Sequence, residues 1–186
     1  MQKQIYIIIV IVLNCKLIER GTYMRSKLML LCLICILAVT VIACNPQLKN
    51  KGTLIYKTSQ KIEGQWQQDK YPSASKFVTI TPENIKLQKK KLRNTAGLSL
   101  NGGLAVYVTL GECPTGGYDI QIREIRKADQ TLVVTVKAIS PAPDQMVTQV
   151  ITYPYDLVRL SASEVQEVKE VLFYKAAGEK IKKEEL

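Results

Sequence analysis

Histidine is absent from the 186-residue chain, which removes the side chain that most often serves as general base, proton shuttle or metal ligand near neutral pH. Most familiar catalytic constellations are thereby excluded. Ser–Lys, Thr and carboxylate chemistry would remain, and none has a spacing signature here. Cysteine is thin where it would matter: of Cys15, Cys32, Cys35, Cys44 and Cys113, the first three fall in segments expected to be removed or never made. Cys32 and Cys35 have the spacing of a redox or metal pair, but they sit inside a continuous apolar run with no second ligand pair, so we read the spacing as coincidence. Neither a cofactor nor a metal site is expected. The chain also lacks an internal repeat and a phosphate-cradling Walker spacing.

Long apolar runs are confined to the first 43 residues. Met24-Arg-Ser-Lys27 is a short basic start, Leu28 to Val41 is an apolar stretch, and Val41-Ile42-Ala43-Cys44 follows at the right distance; these are the parts of an export signal. The last four residues resemble the lipobox of bacterial lipoproteins, which implies cleavage between Ala43 and Cys44 and a lipid on the Cys44 thiol. A plain membrane anchor is the competing reading, but Leu28–Ala43 is 16 residues where a spanning helix wants about 20. Residues 1–23 add a second, nine-residue apolar run, Ile5–Leu13, and a charged segment, Lys16–Arg20. Either a membrane hairpin or an upstream extension of the true Met24 start explains them. Glu19-Arg20-Gly21 can be encoded by purine-rich triplets resembling a ribosome-binding site, which favours Met24. With Cys44 lipidated, Cys113 has no partner for a disulfide inside the chain.

The formal charge is +10; residues 1–43 hold five bases and one acid, leaving 21 bases against 15 acids, or +6, for residues 44–186. That excess is moderate. Its densest run, Lys86 to Arg93, has no interleaved aromatics and no reading motif, so nucleic acid is not expected as a partner. A solvated face or turn, or a surface facing anionic headgroups, fits it better.

The exported part is long enough for one domain. Residues 44–52 read as a polar tether. In the unassigned stretch 53–103, Thr53–Thr58 and Lys76–Thr81 have β propensity, Gln65–Ser75 reads as a loop, and Glu83–Arg93 fits helix or extended loop. Residues 104–175 carry the clearer β pattern. Leu104–Leu110 suits a buried strand. Tyr118, Ile120 and Ile122, with Ile125 after them, mark a strand by alternation, residues 128–130 turn, and Leu132, Val134, Val136 and Ala138 alternate again, which is a hairpin. Met146–Tyr153 and Tyr155–Leu160 supply further β pieces around Pro154. Ser161–Glu164 has capping-box spacing before Val165, Val168, Val171 and Leu172, which predicts a short helix, whereas Val171–Tyr174 reads equally as a last strand. Residues 176–186 form a charged tail expected to fray. The fold class expected is mainly β, a sandwich or small antiparallel domain with one or two short helices.

Gly111-Glu-Cys-Pro-Thr-Gly-Gly-Tyr118 joins two strands through a loop whose glycines can take positive φ and whose Pro114 stiffens the entry. In Tyr153-Pro154-Tyr155 two aromatics flank a kink, so one ring can enter the core while the other faces outward. Pro114-Thr115-Gly116-Gly117-Tyr118, then a hairpin, then Pro141-Ala-Pro143, then Thr152-Tyr153-Pro154-Tyr155 together resemble the C-terminal domain of the protease-complex subunit family, called PrcB-like. The resemblance spans residues 104–160. It implies a small lipoprotein that associates with, and stabilises, an exported subtilisin-like protease without catalysis of its own. On that basis residues 114–118 and 153–155 are the candidate contacts for another exported protein, and the bilayer is the second partner, reached through Cys44. The location expected is extracytoplasmic, lipid-anchored to the cell membrane. Two alternatives stay open. The 111–118 loop locally resembles the Asn-Pro-Thr-Thr-Gly-Tyr loop of chagasin-like proteinase inhibitors, and a ligand-binding envelope lipoprotein would show a deep apolar pocket.

Overall fold

Leu132, Val134, Val136 and Ala138 lie two residues apart, and each is buried, as a strand with one face on a core requires. The computed structural model describes residues 52–186. The export signal, Ala43, Cys44, the stretch 1–23 and the tether up to residue 51 lie outside the described residues. Along the described chain run β1 (Thr53–Lys57), β2 (Lys76–Ile80), the helix α1 (Ile85–Lys91), β3 (Leu104–Thr109), β4 (Asp119–Ala128), β5 (Thr131–Ile139), β6 (Tyr155–Leu160), β7 (Glu170–Lys175) and β8 (Lys180–Glu185). The expectation of a mainly β domain with few helices holds.

Two sheets share the core. One has the order β1-β4-β5-β7-β8 and the other β2-β3-β6. Every pairing is antiparallel except β5 with β7, which run parallel because the chain crosses to the other sheet as β6 between them. Inward residues of both sheets, among them Phe77, Val106, Val108, Ile122, Val134, Val158 and Phe173, form one cluster, which makes the domain a sandwich. Burial of each such side chain contributes roughly 1.5–3 kcal/mol against chain entropy.

All six residues of β3 are buried. Leu104, Val106 and Val108 face the sandwich interior, while Ala105 and Tyr107 face a second cluster formed with Ile80, Leu92, Leu98, Leu100 and the partly buried Ile85. Thus α1 and the loop after it cover the outer face of the smaller sheet. This third layer explains why residues 104–110 read as a continuous apolar run and not as an alternation.

Ile125 is buried with Ile120 and Ile122 although it breaks their phase. A β-bulge between Ile122 and Glu124 inserts one residue, so Ile125 returns inward and Glu124 stays on the outer face. Asp129, with φ 53°, then turns the hairpin.

Three expectations fail. The charged tail does not fray: residues 180–185 form β8 beside β7, with Ile181 packed against the core. The Glu184 carboxylate accepts the backbone N–H of Thr79 at 2.7 Å and Lys182 Nζ donates to the carbonyl of Phe77 at 3.0 Å, so two charged side chains satisfy the free edge of β2. The helix over 161–172 does not form. Ser161 and Glu164 make the capping contact, the Ser161 N–H reaching Glu164 Oε2 at 2.7 Å, but Glu167 takes φ 63° after a single turn and Val171 and Leu172 enter β7. Met146–Tyr153 is not a strand; its one ladder contact is an isolated bridge between Thr152 and Cys113.

Candidate functional site

The two motifs sit 34 residues or more apart in sequence, and the β3–β6 pairing brings them together. Thr109 stands opposite Tyr155 at the end of that ladder, so the chain leaving β3 and the chain entering β6 run side by side. Leu110 N–H donates to the Pro154 carbonyl at 3.2 Å, and Thr109 Oγ1 donates to the same oxygen at 2.7 Å. Cys113 and Thr152 exchange both backbone bonds, at 2.9 and 3.0 Å. Gly116 N–H donates to the Thr148 carbonyl at 2.9 Å, and Thr152 Oγ1 to the Thr115 carbonyl at 2.8 Å. Loop 111–118 and the strap 147–154 are therefore zipped along their length.

That zipper explains the glycines. A Cβ on Gly116 would stand 2.4 Å from Thr148 Oγ1. Gly117 takes φ +82°, and a Cβ there would meet Val147 Cγ1 at 3.0 Å and Pro141 Cβ at 3.2 Å. So Gly116 lets the strap approach, and Gly117 both turns the loop and makes room for Pro141. Pro141 is thereby placed as a wall of the loop.

Of the remaining candidates, Pro114 is exposed and Thr115 half-buried. Tyr118 is half-buried against the core, with its ring 6.2 Å from that of Trp66, which packs edge-on to Tyr71 at 5.0 Å. Cys113 is fully buried, and desolvation pushes its thiol up from the usual range. Neither tyrosine of Tyr153-Pro154-Tyr155 enters the core, contrary to expectation. Tyr155 is 41% exposed and stacks on buried Tyr107, with centroids 5.9 Å apart. Tyr153 donates its hydroxyl to Glu112 Oε2 at 2.7 Å, and that hydrogen bond holds its phenol above the ordinary value. The guanidinium of Arg93 lies 3.7 Å above the Tyr153 ring.

The zipped surface leaves apolar side chains in water. Met146 is 97% exposed, Val150 61% and Ile151 55%. With Tyr155 they make four of the seven large apolar residues that stand exposed among the described residues, and all four fall within ten residues of one another. Scattered exposed apolar residues need no explanation; four within one short segment are a concentration.

Beneath the zipper opens a pocket of about 210 Å³, lined by Lys76, Lys91, Arg93, Tyr107, Glu112 and Tyr153 among others. It is basic and aromatic, unlike the deep apolar pocket that a lipophilic ligand would need. The basic run 86–93, read as a solvated face, contributes two of its walls. No sequence signal pointed to it, since its residues come from four separate segments. Among the described residues no group of three or more Cys, Asp or Glu could hold a metal ion, and no helix is long and apolar enough to cross a membrane.

Comparison with known proteins finds no match among curated proteins and none among solved structures. A family model described as PrcB C-terminal matches residues 104–161, from the first residue of β3 to just past the last of β6. The matched span holds both zipped motifs, the hairpin and the exposed strap, and residues 104–161 of this chain are similar to the PrcB C-terminal domain.

Proposed function

We propose that the protein is an extracytoplasmic lipoprotein, anchored to the cell membrane through lipidated Cys44, whose β domain binds an exported protease as a non-catalytic accessory subunit. The observation that carries the reading is the hydrogen-bonded joining of Pro114–Tyr118 to Thr152–Tyr155, beside which Met146, Val150, Ile151 and Tyr155 stand exposed to solvent. The PrcB C-terminal match associates this domain with protease complexes. Absence of histidine from the whole chain supports a binding role over catalysis.

Insertion of loop 111–118 into a protease active site, as an inhibitor would require, is disfavoured by the same zipper. An inhibitory loop must project, whereas this one is hydrogen-bonded along one side to the strap and has Gly117 against Val147 and Pro141.

Two experiments test the proposal. Metabolic labelling with a palmitate analogue should mark the wild type and leave Cys44→Ser unmarked; an unmarked wild type removes the anchor. Co-purification from membranes in mild detergent should recover an exported protease with the wild type, and much less with Met146→Asp/Val150→Asp. Recovery of the protein alone, or equal recovery by both, would overturn the accessory-subunit role.

A further inference from the structure

Lys76, Lys91 and Arg93 surround one pocket, and no ion pair among the described residues involves any of them. Lys76 comes from the start of β2, Lys91 from the last residue of α1, and Arg93 from the loop that follows. The acid in the lining, Glu112, is already engaged: its Oε2 accepts the Tyr153 hydroxyl at 2.7 Å. Tyr153 in turn carries the Arg93 guanidinium on its face at 3.7 Å. That contact seats the guanidinium over the ring, and a guanidinium carries its N–H donors in a planar fork that matches a carboxylate. Lys76 Nζ makes one long contact, 3.5 Å, to the Lys91 carbonyl, and an ammonium has two further donors to offer.

We propose that this pocket takes a carboxylate of a polypeptide, an acidic side chain or a chain end, from the bound partner. The inference rests on the protein-binding reading above and names a point of attachment for it. A peptide is favoured over a lipid headgroup because the pocket shares Glu112 and Tyr153 with the zipped loop and strap, next to the exposed apolar residues. A carboxylate there would answer a lining of three cations against one acid. A guanidinium already seated over a ring loses less freedom on binding than a free surface side chain does.

The test uses the full chain in detergent, followed by the side-chain Nε–Hε resonance of Arg93, assigned by its loss in Arg93→Met. N-acetylglutamate should shift that resonance saturably, and N-acetylglutamine should not. Lys76→Met and Lys91→Met should each weaken N-acetylglutamate by about tenfold, the usual effect of removing one charged donor. The substituted side chains are exposed, and an unchanged far-UV spectrum confirms that each variant is folded. An equal shift with N-acetylglutamine, tighter binding of inorganic phosphate, or no saturable shift would overturn the proposal. A second arm separates it from the reading it rests on. The wild type should retain its membrane partner and Lys76→Met/Lys91→Met/Arg93→Met should lose it. Equal retention by both would overturn the pocket and leave protein binding standing, and retention by neither would overturn both.

Discussion

Gly116 and Gly117 are adjacent, yet alanine should be tolerated at the first and costly at the second. Gly116 does not need positive φ; only Thr148 Oγ1, 2.4 Å from a built Cβ, stands in the way, with the Thr148 carbonyl at 3.6 Å and its Cβ at 3.7 Å in ordinary contact. Thr148 is exposed, so its hydroxyl can rotate off its preferred position at a cost of about 0.5–1.5 kcal/mol. Against that, alanine restricts the unfolded chain and stabilises by about 0.4–1 kcal/mol. Gly116→Ala alone should therefore lie within about 1 kcal/mol of wild type. In a Thr148→Ala background the obstacle is gone, and the same substitution should stabilise by about 0.4–1 kcal/mol. Gly117→Ala combines left-handed strain, about 1–2 kcal/mol, with crowding against Val147 and Pro141 of similar size, for a loss of about 2–4 kcal/mol. Urea unfolding followed by circular dichroism measures all four variants. With a slope of about 1–3 kcal/mol per molar, Gly117→Ala should lower the midpoint by about 1–2 M at unchanged slope. A Gly116–Thr148 coupling below about 0.3 kcal/mol, or a Gly117→Ala variant as stable as Gly116→Ala, would refute the zipped arrangement of loop and strap.

Glu184→Ala should cost about 1–3 kcal/mol, because it strands the Thr79 N–H, whereas Glu184→Gln keeps an acceptor and should cost less; hydrogen exchange at the Thr79 amide reports the difference directly. Tyr71 has its phenol pushed up to about 12 by burial and by the Glu179 charge. A group raised in the folded state contributes stability that is whole below its unfolded value near 10 and is lost as pH rises towards 12. Stability should therefore fall between pH 10 and 12, and Tyr71→Phe should flatten that fall; an unaltered slope in the variant would sink the assignment. The Cys113 thiol, buried and pushed up by desolvation, should resist a disulfide reagent at pH 8 until denaturant is added, with site-resolved mass spectrometry as the readout, and rapid labelling in the native state would contradict its burial.

How far the fold could be read in advance depended on whether one face of an element decides its period. The β4–β5 hairpin was legible because Ile120, Ile122, Leu132, Val134 and Val136 answer to a single core. Ile125 fell out of phase because a bulge is a local change of register, invisible to a strict alternation. Residues 161–172 satisfied a helix pattern, and Val171–Tyr174 a strand pattern that overlaps it. Tertiary pairing chose the strand, since Val171, Leu172 and Phe173 lie in register with Leu132, Val133 and Val134 of β5. The β8 strand was hidden by its charge. Lysine and glutamate are poor strand formers in isolation, but at a sheet edge Lys182 and Glu184 serve as hydrogen-bonding groups for β2.

The candidate site was half legible for a related reason. Loop 114–118 and residues 152–155 could be picked out as motifs, but a motif does not say which of its residues face inward. Gly116, Gly117, Thr152 and the Pro154 carbonyl are consumed in fastening loop to strap. The surface they hold outward is made by Met146, Val150 and Ile151, which carry no motif at all. The pocket lies one step further from the sequence, because Lys76, Arg93, Glu112 and Tyr153 come into register only through the pairing of β2, β3 and β6. The recognisable residues are thus largely the frame, and the residues free to meet a partner are the less patterned ones beside them. Selection by a particular partner would then act on the strap and the basic pocket, while the glycine loop keeps both in place.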